Sequence, residues 1–319
     1  MSRHLAVELS AQQSALVELL RYLKQHHYHF TTITPLSHQR ILTRRKAQTA
    51  SSLTDIFGWN LPFDADFLPL ELFALLQTSQ YLERYNDQQW YSCIRVSSLD
   101  QHLVVHSGYP TQDIDAVFFG PDTYRFYFHV QQYLKQQQLQ PQSALEIGCG
   151  TAAVAIALAK QFKIEHMTGI DINPQALSFS AVNAKAAKMD LILAQSDVLQ
   201  DIDQKFDFIF ANPPYLVDDE QRQYRHGGQL DGAEMAFVIL QQAIRQLSPQ
   251  GHLFLYTGAA ISQDNNLLYT AIKIFMQDYP DYSWHYQEID PDVFGEELEH
   301  SQYQHIDRIS LALITVQAP

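Results

Sequence analysis

"SALEIGCGTAA", residues 143 to 153, is the stretch on which the fold turns. A short apolar run ends in a glycine-rich turn, and the helical stretch "AAVAIALAKQF" (residues 152 to 162) follows at once. A turn of this kind between strand and helix lets a ligand approach the backbone closely. Outward from it the same rhythm repeats. "HMTGIDI" (166 to 172), "LILAQSD" (191 to 197), "FDFIFAN" (206 to 212) and "GHLFLYTG" (251 to 258) are four more short apolar strands. Between them lie helical stretches such as "PQALSFSAVNAKAAK" (174 to 188) and "AEMAFVILQQAIRQL" (233 to 247). Strand and helix in alternation predict an α/β fold, with a parallel sheet covered by helices on both faces. "SWHYQEI" (283 to 289) and "DRISLALITVQ" (307 to 317) add two strands with no long helix between them, which predicts an antiparallel edge.

Before residue 141 the pattern differs. Ser10 and Gln13 form a capping-box signature, and Leu16, Leu19, Leu20 and Leu23 recur at the spacing of one helix face. Further helices are expected over residues 37 to 48 and within "LPLELFALLQTSQYL" (68 to 82). "WYSCIRVSS" (90 to 98) and "HLVVHSG" (102 to 108) then read as a hairpin around "LDQ". Helices followed by a hairpin suggest a winged-helix module. The expected division is an amino-terminal helical and hairpin domain over residues 1 to 115 and a second domain over residues 116 to 319, in keeping with a length of 319 residues.

Composition narrows the function classes. Hydrophobic residues make up 46% and charged ones 18%, a globular balance, and no apolar run approaches the ~20 residues of a membrane span. The start, "MSRHLAVELSAQQ", lacks the apolar core of a signal peptide, so a cytoplasmic protein is expected. Two cysteines, Cys93 and Cys149, are too few for a disulfide framework or a thiolate metal site. The 14 histidines show no pairing that would set two metal ligands on one helix face, so no metal is expected. A net charge of -14 repels a polyanion as a whole, although a local basic patch can still bind one.

Gly148, Gly150 and Ala153 satisfy the fingerprint G-x-G-x-x-A, and Asp171 follows at about the 20-residue separation of a ribose-binding acid. Those residues alone suit a nicotinamide enzyme as well as a methyltransferase. Two acids break the tie. Glu146, just before the first glycine, would crowd a pyrophosphate but suits an ammonium group, and Asp197 closes the third strand where an adenine amino group can be held. Both favour S-adenosylmethionine. Open α/β sheets bind ligands at the carboxyl ends of their strands, where all of these residues are predicted to lie.

The fourth strand runs straight into Asn212-Pro213-Pro214-Tyr215. Two prolines fix two φ angles and remove two N–H groups, leaving a stiff, acceptor-rich backbone. A planar NH2 can donate to the Asn212 side-chain oxygen and to the Pro213 carbonyl, with the Tyr215 ring expected as a face for the acceptor to lie on. A nitrogen held in this way turns its lone pair toward a methyl donor, and positioning carries the catalysis without a general base.

Over residues 116 to 260 the chain resembles the class I methyltransferases of the HemK/PrmC type, which methylate protein glutamine, and their relatives that methylate the exocyclic nitrogen of adenine. The resemblance rests on Glu146, Gly148, Gly150, Asp171, Asp197 and the whole Asn212-Pro213-Pro214-Tyr215 motif. It implies a Rossmann-like, mostly parallel seven-stranded sheet with an antiparallel edge, and S-adenosyl-L-methionine as cofactor. It also implies that the domain over residues 1 to 115 is the substrate-recognition domain. Carried over by position, the cofactor residues are Glu146, Gly148, Cys149, Gly150, Asp171, Ile172, Asp197, Val198 and Asn212. "VFFGPDTYRF" (117 to 126) resembles the segment that covers the cofactor, adding Asp122, Thr123 and Tyr124. The motif Asn212, Pro213, Pro214 and Tyr215 is catalytic, and Tyr215 and Arg225 face the substrate. The chain departs from the family at Ala152, where members carry a third glycine. "YRHGGQLDG" (224 to 232) resembles an element of a bacterial branch, and Arg225 with Gly227 and Gly228 is read either as a substrate lid or as an ordinary glycine turn.

The motif specifies a planar nitrogen and leaves its carrier open. Protein glutamine is the preferred acceptor, because an acidic surface suits a basic polypeptide partner. N6-adenine in RNA or DNA is the alternative, favoured by Arg40, Arg44, Arg45 and Lys46 on the second helix. A small-molecule amine and a cofactor-binding regulatory protein without turnover are the other readings.

Overall fold

The computed structural model describes residues 8–111, 113–200, 202–217, 225, 227–263 and 265–319. Its amino-terminal region begins with α1 (Ala11–Gln25), which starts where the capping box predicts. The Gln13 amide donates to Ser10 Oγ at 3.1 Å and the Ser10 amide to Gln13 Oε1 at 2.9 Å. Leu16, Leu19, Leu20 and Leu23 are all buried. Next come α2 (Pro35–Arg44), α3 (Leu53–Phe57), β1 (Phe63–Asp64), α4 (Leu70–Ser79), β2 (Leu82–Arg84), β3 (Gln89–Ser92), β4 (Ile94–Leu99) and β5 (His102–Ser107).

Two expectations change here. α2 starts and stops earlier than residues 37 to 48, because Thr34 caps it and Pro35 takes its first turn, while Arg45 leaves the helix in an extended conformation. The run "WYSCIRVSS" is two strands and not one. Its break is Cys93, whose amide donates to the Tyr81 carbonyl at 3.0 Å and whose carbonyl accepts from the Gly108 amide at 2.9 Å. β3 therefore joins a three-stranded sheet of order β1-β3-β2, and only β4 forms the hairpin with β5. The helix-then-hairpin order of a winged helix is present, with that small sheet in addition.

The second region contains α5 (Pro121–Gln136), β6 (Ser143–Ile147), α6 (Ala153–Phe162), β7 (His166–Asp171), α7 (Pro174–Ala186), β8 (Ile192–Gln195) and β9 (Phe206–Ala211). It continues with α8 (Glu234–Ala243), β10 (Leu247–Ser262), β11 (Asn265–Asn266), α9 (Leu267–Phe275), β12 (Ser283–Asp290) and β13 (Arg308–Gln317). The main path of the sheet is β12-β13-β10-β9-β6-β7-β8, and the short β11 pairs with β10. From β8 to β10 every pairing is parallel. β13 runs antiparallel to both of its neighbours, so the expected edge is built by inserting the last strand between β10 and β12.

Period-two alternation separates two cores. Phe208 and Phe210 of β9 join Phe254 and Tyr256 of β10 under α5 and α6, whereas Ile209 and Ala211 face the other side with Leu253 and Leu255, under α8 and α9. A third core contains α1 residues together with Ala176, Phe179 and Val182 of α7, so apolar packing crosses residue 115. Buried Asn183 adds a polar tie between the regions. Its Oδ1 accepts from the Val105 amide at 2.8 Å, and its Nδ2 donates to the carbonyls of Val105 and Thr151 at 3.1 and 3.0 Å.

The chain passes from β6 through β7 to β8 in one direction and returns to place β9 and β10 on the other side of β6. That reversal opens a crevice at the carboxyl ends of β6 and β9, the place where open α/β sheets bind ligands.

Candidate active site

The predicted residues lie at or just beyond the carboxyl ends of four neighbouring strands, β9, β6, β7 and β8. Glu146 is the last residue but one of β6 and is buried, and its Oε2 accepts from the Ala155 amide in the first turn of α6 at 3.0 Å. Burial pushes its carboxyl up to about 8, helped by the nearby Asp171 charge and opposed by the Ala155 hydrogen bond. A folded-state value above the ordinary 4.5 means that the folded chain keeps a proton which the unfolded chain has released. Glu146's contribution to the stability of the ligand-free protein is accordingly expected to fall as pH rises from about 4.5 to about 8. Glu146→Gln is expected to remove this loss, which is a few kcal/mol at about 1.4 kcal/mol per pKa unit. Thermal unfolding between pH 5 and 9 checks it, and a variant advantage of equal size throughout would contradict the assignment.

Gly148 and Gly150 hold φ of +65° and +54°, and a Cβ at either position would meet no atom within 4 Å. The loop thus turns a bare backbone toward open space. Cys149 between them points inward and is buried, its amide bonded to the Ile170 carbonyl at 3.0 Å. Burial pushes its thiol well above the usual range, so Cys149 is a packing residue of the loop. Ala152, at the position of the family's third glycine, has φ +53° and is fully buried. A left-handed conformation costs an L-residue about 1 to 2 kcal/mol, so the departure from glycine is a strain that the packed methyl group offsets.

Asp171, at the end of β7, braces this loop. Its Oδ2 accepts from the Gly150 amide at 2.8 Å and its Oδ1 from the Asn173 amide at 2.9 Å. Burial raises its carboxyl above the usual value against those hydrogen bonds. Ile172 follows with 48% of its surface exposed, an apolar face beside a row of acids. Asp197 is exposed beyond β8, near Gln200, and Val198 after it is buried at φ +51°, an outlier for a β-branched residue. Sequence reasoning missed Ser196, whose buried Oγ has no hydrogen-bond partner among the described residues.

Asn212 ends β9 with a buried Oδ1 that also lacks a partner among the described residues. Buried polar atoms are rarely left in this state, and such an orphan calls for a ligand donor. Pro213 and Pro214 follow. Tyr215 does not present the open face that the sequence suggested. It is 8% exposed, its ring lies against Phe294 at 5.9 Å between centroids, and its hydroxyl donates to Asp122 Oδ2 at 2.5 Å. Gly258 of β10 allows this inward packing, since a Cβ there would sit 2.3 Å from the ring.

Asp122, Thr123 and Tyr124 lie in the first turn of α5 and make protein contacts. The Gly120 amide donates to Thr123 Oγ1 at 3.4 Å, and Tyr124 Oη accepts from the Thr32 amide at 3.1 Å. Arg225 bonds Glu297, a buried carboxylate in the connection between β12 and β13. Arg225 is therefore tied to that connection, where a substrate-facing residue was expected. The Tyr303 hydroxyl reinforces the contact by accepting from the Val217 amide at 2.7 Å. No local signal marks Glu297 or Tyr303, which lie far along the chain. Tyr224 and His226 of the "YRHGGQLDG" stretch fall outside the described residues.

Residues 130–272 match the Methyltransferase small domain family, a span that contains the glycine loop, all four acid or amide strand ends and the Asn-Pro-Pro-Tyr motif. Over these residues the chain is similar to methyltransferase domains. A release factor glutamine methyltransferase of Lactococcus lactis is 28% identical over 179 residues, covering 53% of this chain and 63% of its own length. A putative protein N5-glutamine methyltransferase of Methanocaldococcus jannaschii is 36% identical over 105 residues, 32% of this chain and 53% of the relative. A tRNA1(Val) (adenine(37)-N6)-methyltransferase of Porphyromonas gingivalis is 34% identical over 131 residues, 37% of this chain and 50% of the relative. The chain covers less than two thirds of the length of each of these relatives. Asp122, Thr123 and Tyr124 lie outside the matched span. Among the described residues no helix is long and apolar enough to cross a membrane, and no group of three or more His, Cys, Asp or Glu is placed to hold a metal ion.

Proposed function

We propose that the chain is an S-adenosylmethionine-dependent N-methyltransferase whose acceptor is the side-chain amide of a polypeptide glutamine. The observation that carries this reading is the buried, unpartnered Asn212 Oδ1 at a strand end beside two prolines. It is an acceptor waiting for an N–H, and the Pro213 carbonyl next to it supplies a second. Together they would hold both protons of a planar NH2. The residues present fit the cofactor: Gly148 and Gly150 leave open space for it, Glu146 suits its ammonium group, Asp171 its ribose hydroxyls, and Ile172 and Asp197 its adenine. When bound, S-adenosylmethionine supplies an electrophilic sulfonium methyl group. The chain's own part is to desolvate the amide and aim its lone pair, and well-oriented groups reach effective molarities of roughly 10⁵ to 10⁸ M.

Two features support an amide over an adenine. The inward-packed Tyr215 ring offers no platform on which a purine can stack, whereas a primary amide needs only the two acceptors. Two of the relatives named above carry glutamine methylation in their names. The adenine reading draws on the Porphyromonas relative and on Arg40, Arg44 and Lys46, which are exposed on or just beyond α2. Arg45 no longer counts toward a basic patch. It pairs with Asp55 and lies over the Trp59 ring at 4.5 Å. Residues 1 to 115 act as the substrate-facing domain in this reading, and residues 116 to 319 as the catalytic one, with a cytoplasmic polypeptide as partner.

Tritiated methyl transfer into fractionated protein, RNA, DNA and metabolite pools tests the acceptor. The expected outcome is acid-stable label in protein, little changed between 50 and 200 mM salt or by Arg40→Glu with Arg44→Glu. Label confined to RNA or DNA, falling steeply with salt and lost in the charge-reversed variant, would establish the adenine reading.

A further inference from the structure

Asp122 ties three separate elements together at one carboxylate. It lies in the first turn of α5, and its side chain is 15% exposed. Its Oδ2 accepts from the Tyr215 hydroxyl at 2.5 Å. Its Oδ1 accepts from Arg125 Nη1 at 2.7 Å and from the Tyr256 hydroxyl of β10 at 3.3 Å. Tyr256 is fully buried and Tyr215 nearly so. Hydrogen bonds to an ionised acceptor are roughly twice as strong as neutral ones, so these contacts are a firm anchor for the two phenols.

The anchor matters because of what lies between Tyr215 and Asn212. Those two residues are separated only by Pro213 and Pro214, whose rings hold both φ angles fixed. A displacement of the phenol has few torsions in which to be absorbed and passes to the Asn212 carboxamide. The other end of the turn is held by the β9 ladder, with Phe210 and Ala211 paired to Glu146 and Ile147 of β6. The ring itself is confined by Gly258 on one side and Phe294 on another. A carboxylate committed to three donors has little acceptor capacity left for a cofactor hydroxyl or ammonium group.

We infer that Asp122 is a positioning residue for Asn212, acting through the Tyr215 hydroxyl and the stiff Pro-Pro link, and not a ligand of the cofactor. This rests on the role proposed above for Asn212. Its test is a double-mutant cycle on the full chain. Tyr215→Phe and Asp122→Ala are each expected to lower kcat by about 10- to 100-fold, with the dissociation constant for S-adenosylhomocysteine within about threefold of the parent. The double variant should be no slower than the worse single one, because both substitutions cut the same link. Asp122→Asn keeps an oxygen acceptor for the phenol and should restore most of kcat. The inference is overturned by losses that multiply, or by an Asp122→Ala variant with normal kcat at saturation and cofactor affinity weakened tenfold or more.

Hydrogen exchange provides an arm that needs no methyl acceptor. The Leu216 amide donates to the Arg225 carbonyl at 3.2 Å, which makes it a reporter of the motif's backbone. Both single variants should exchange faster over residues 211 to 217 while the β6 and β10 peptides keep the parent rate. Unchanged exchange in that segment sinks the clamp. Faster exchange in a protein that methylates no glutamine leaves the clamp standing and sinks the acceptor assignment instead. General acceleration that includes β6 and β10 would show Asp122 to be a global stabiliser and also counts against a local clamp.

Discussion

Asn212→Ala is expected to lower kcat for methyl transfer by at least about 10² to 10³-fold, while the cofactor dissociation constant stays within about threefold. The first number follows from what loss of one preorganised hydrogen bond to a reacting group costs in a water-excluded site. The Asn212 oxygen is the member of the pair that is adjustable only through its side chain, since the Pro213 carbonyl is fixed by the backbone. Without it the acceptor nitrogen keeps one of its two bonds and is free to turn its lone pair away from the methyl group. The second number follows from geometry. Glu146, Gly150 and Asp171 form their contacts with one another and with α6, independent of the Asn212 side chain. Single-turnover transfer at saturating cofactor, paired with calorimetry, separates the two effects. Transfer at the parent rate would remove Asn212 from the chemistry, and a large fall in cofactor affinity would move it to the cofactor's site.

The strand ends that make up this site were legible because parallel strands buried on both faces leave continuous apolar runs, and each run stops at a residue of a different kind. Glu146, Asp171, Asp197 and Asn212 stood out against Leu, Ile and Phe without any knowledge of their neighbours. The parallel sheet and its antiparallel edge followed from the same regularity, whereas the strand order did not. Whether β13 lies outside β12 or inside it depends on pairings such as Phe254 with Thr315 and Tyr256 with Leu313, which local pattern does not encode. The direction of Tyr215 was hidden for a similar reason. Its burial depends on Gly258 leaving a gap and on Asp122 supplying an acceptor, and both lie tens of residues away. Cys93 looked like the middle of one strand because the groups that break it, the Tyr81 carbonyl and the Gly108 amide, arrive from other elements. Arg225 was read as a substrate contact because its partner Glu297 comes much later in the chain, after β12.

Asp171→Ala is expected to weaken S-adenosylhomocysteine binding by more than a hundredfold, beyond what the loss of one ligand contact would give. Loss of hydrogen bonds to a charged group accounts for roughly 1.5 to 3 kcal/mol, a factor of about 10 to 150. Asp171 also serves the apo protein. Its Oδ2 holds the Gly150 amide and its Oδ1 the Asn173 amide, so the carboxylate fixes the glycine loop before any ligand arrives. Removing it releases a loop whose two glycines, at φ +65° and +54°, have wide conformational freedom, and ordering that loop then opposes binding. Asp171→Asn separates the two contributions. Its one remaining carbonyl oxygen can brace either Gly150 or Asn173 but not both, and it carries no charge, so its affinity should fall between those of the parent and the alanine variant. Calorimetry of all three proteins decides the matter. Equal affinities for Asn and Ala would assign the whole effect to charge, and an alanine variant within tenfold of the parent would mean that the carboxylate braces the loop without touching the cofactor.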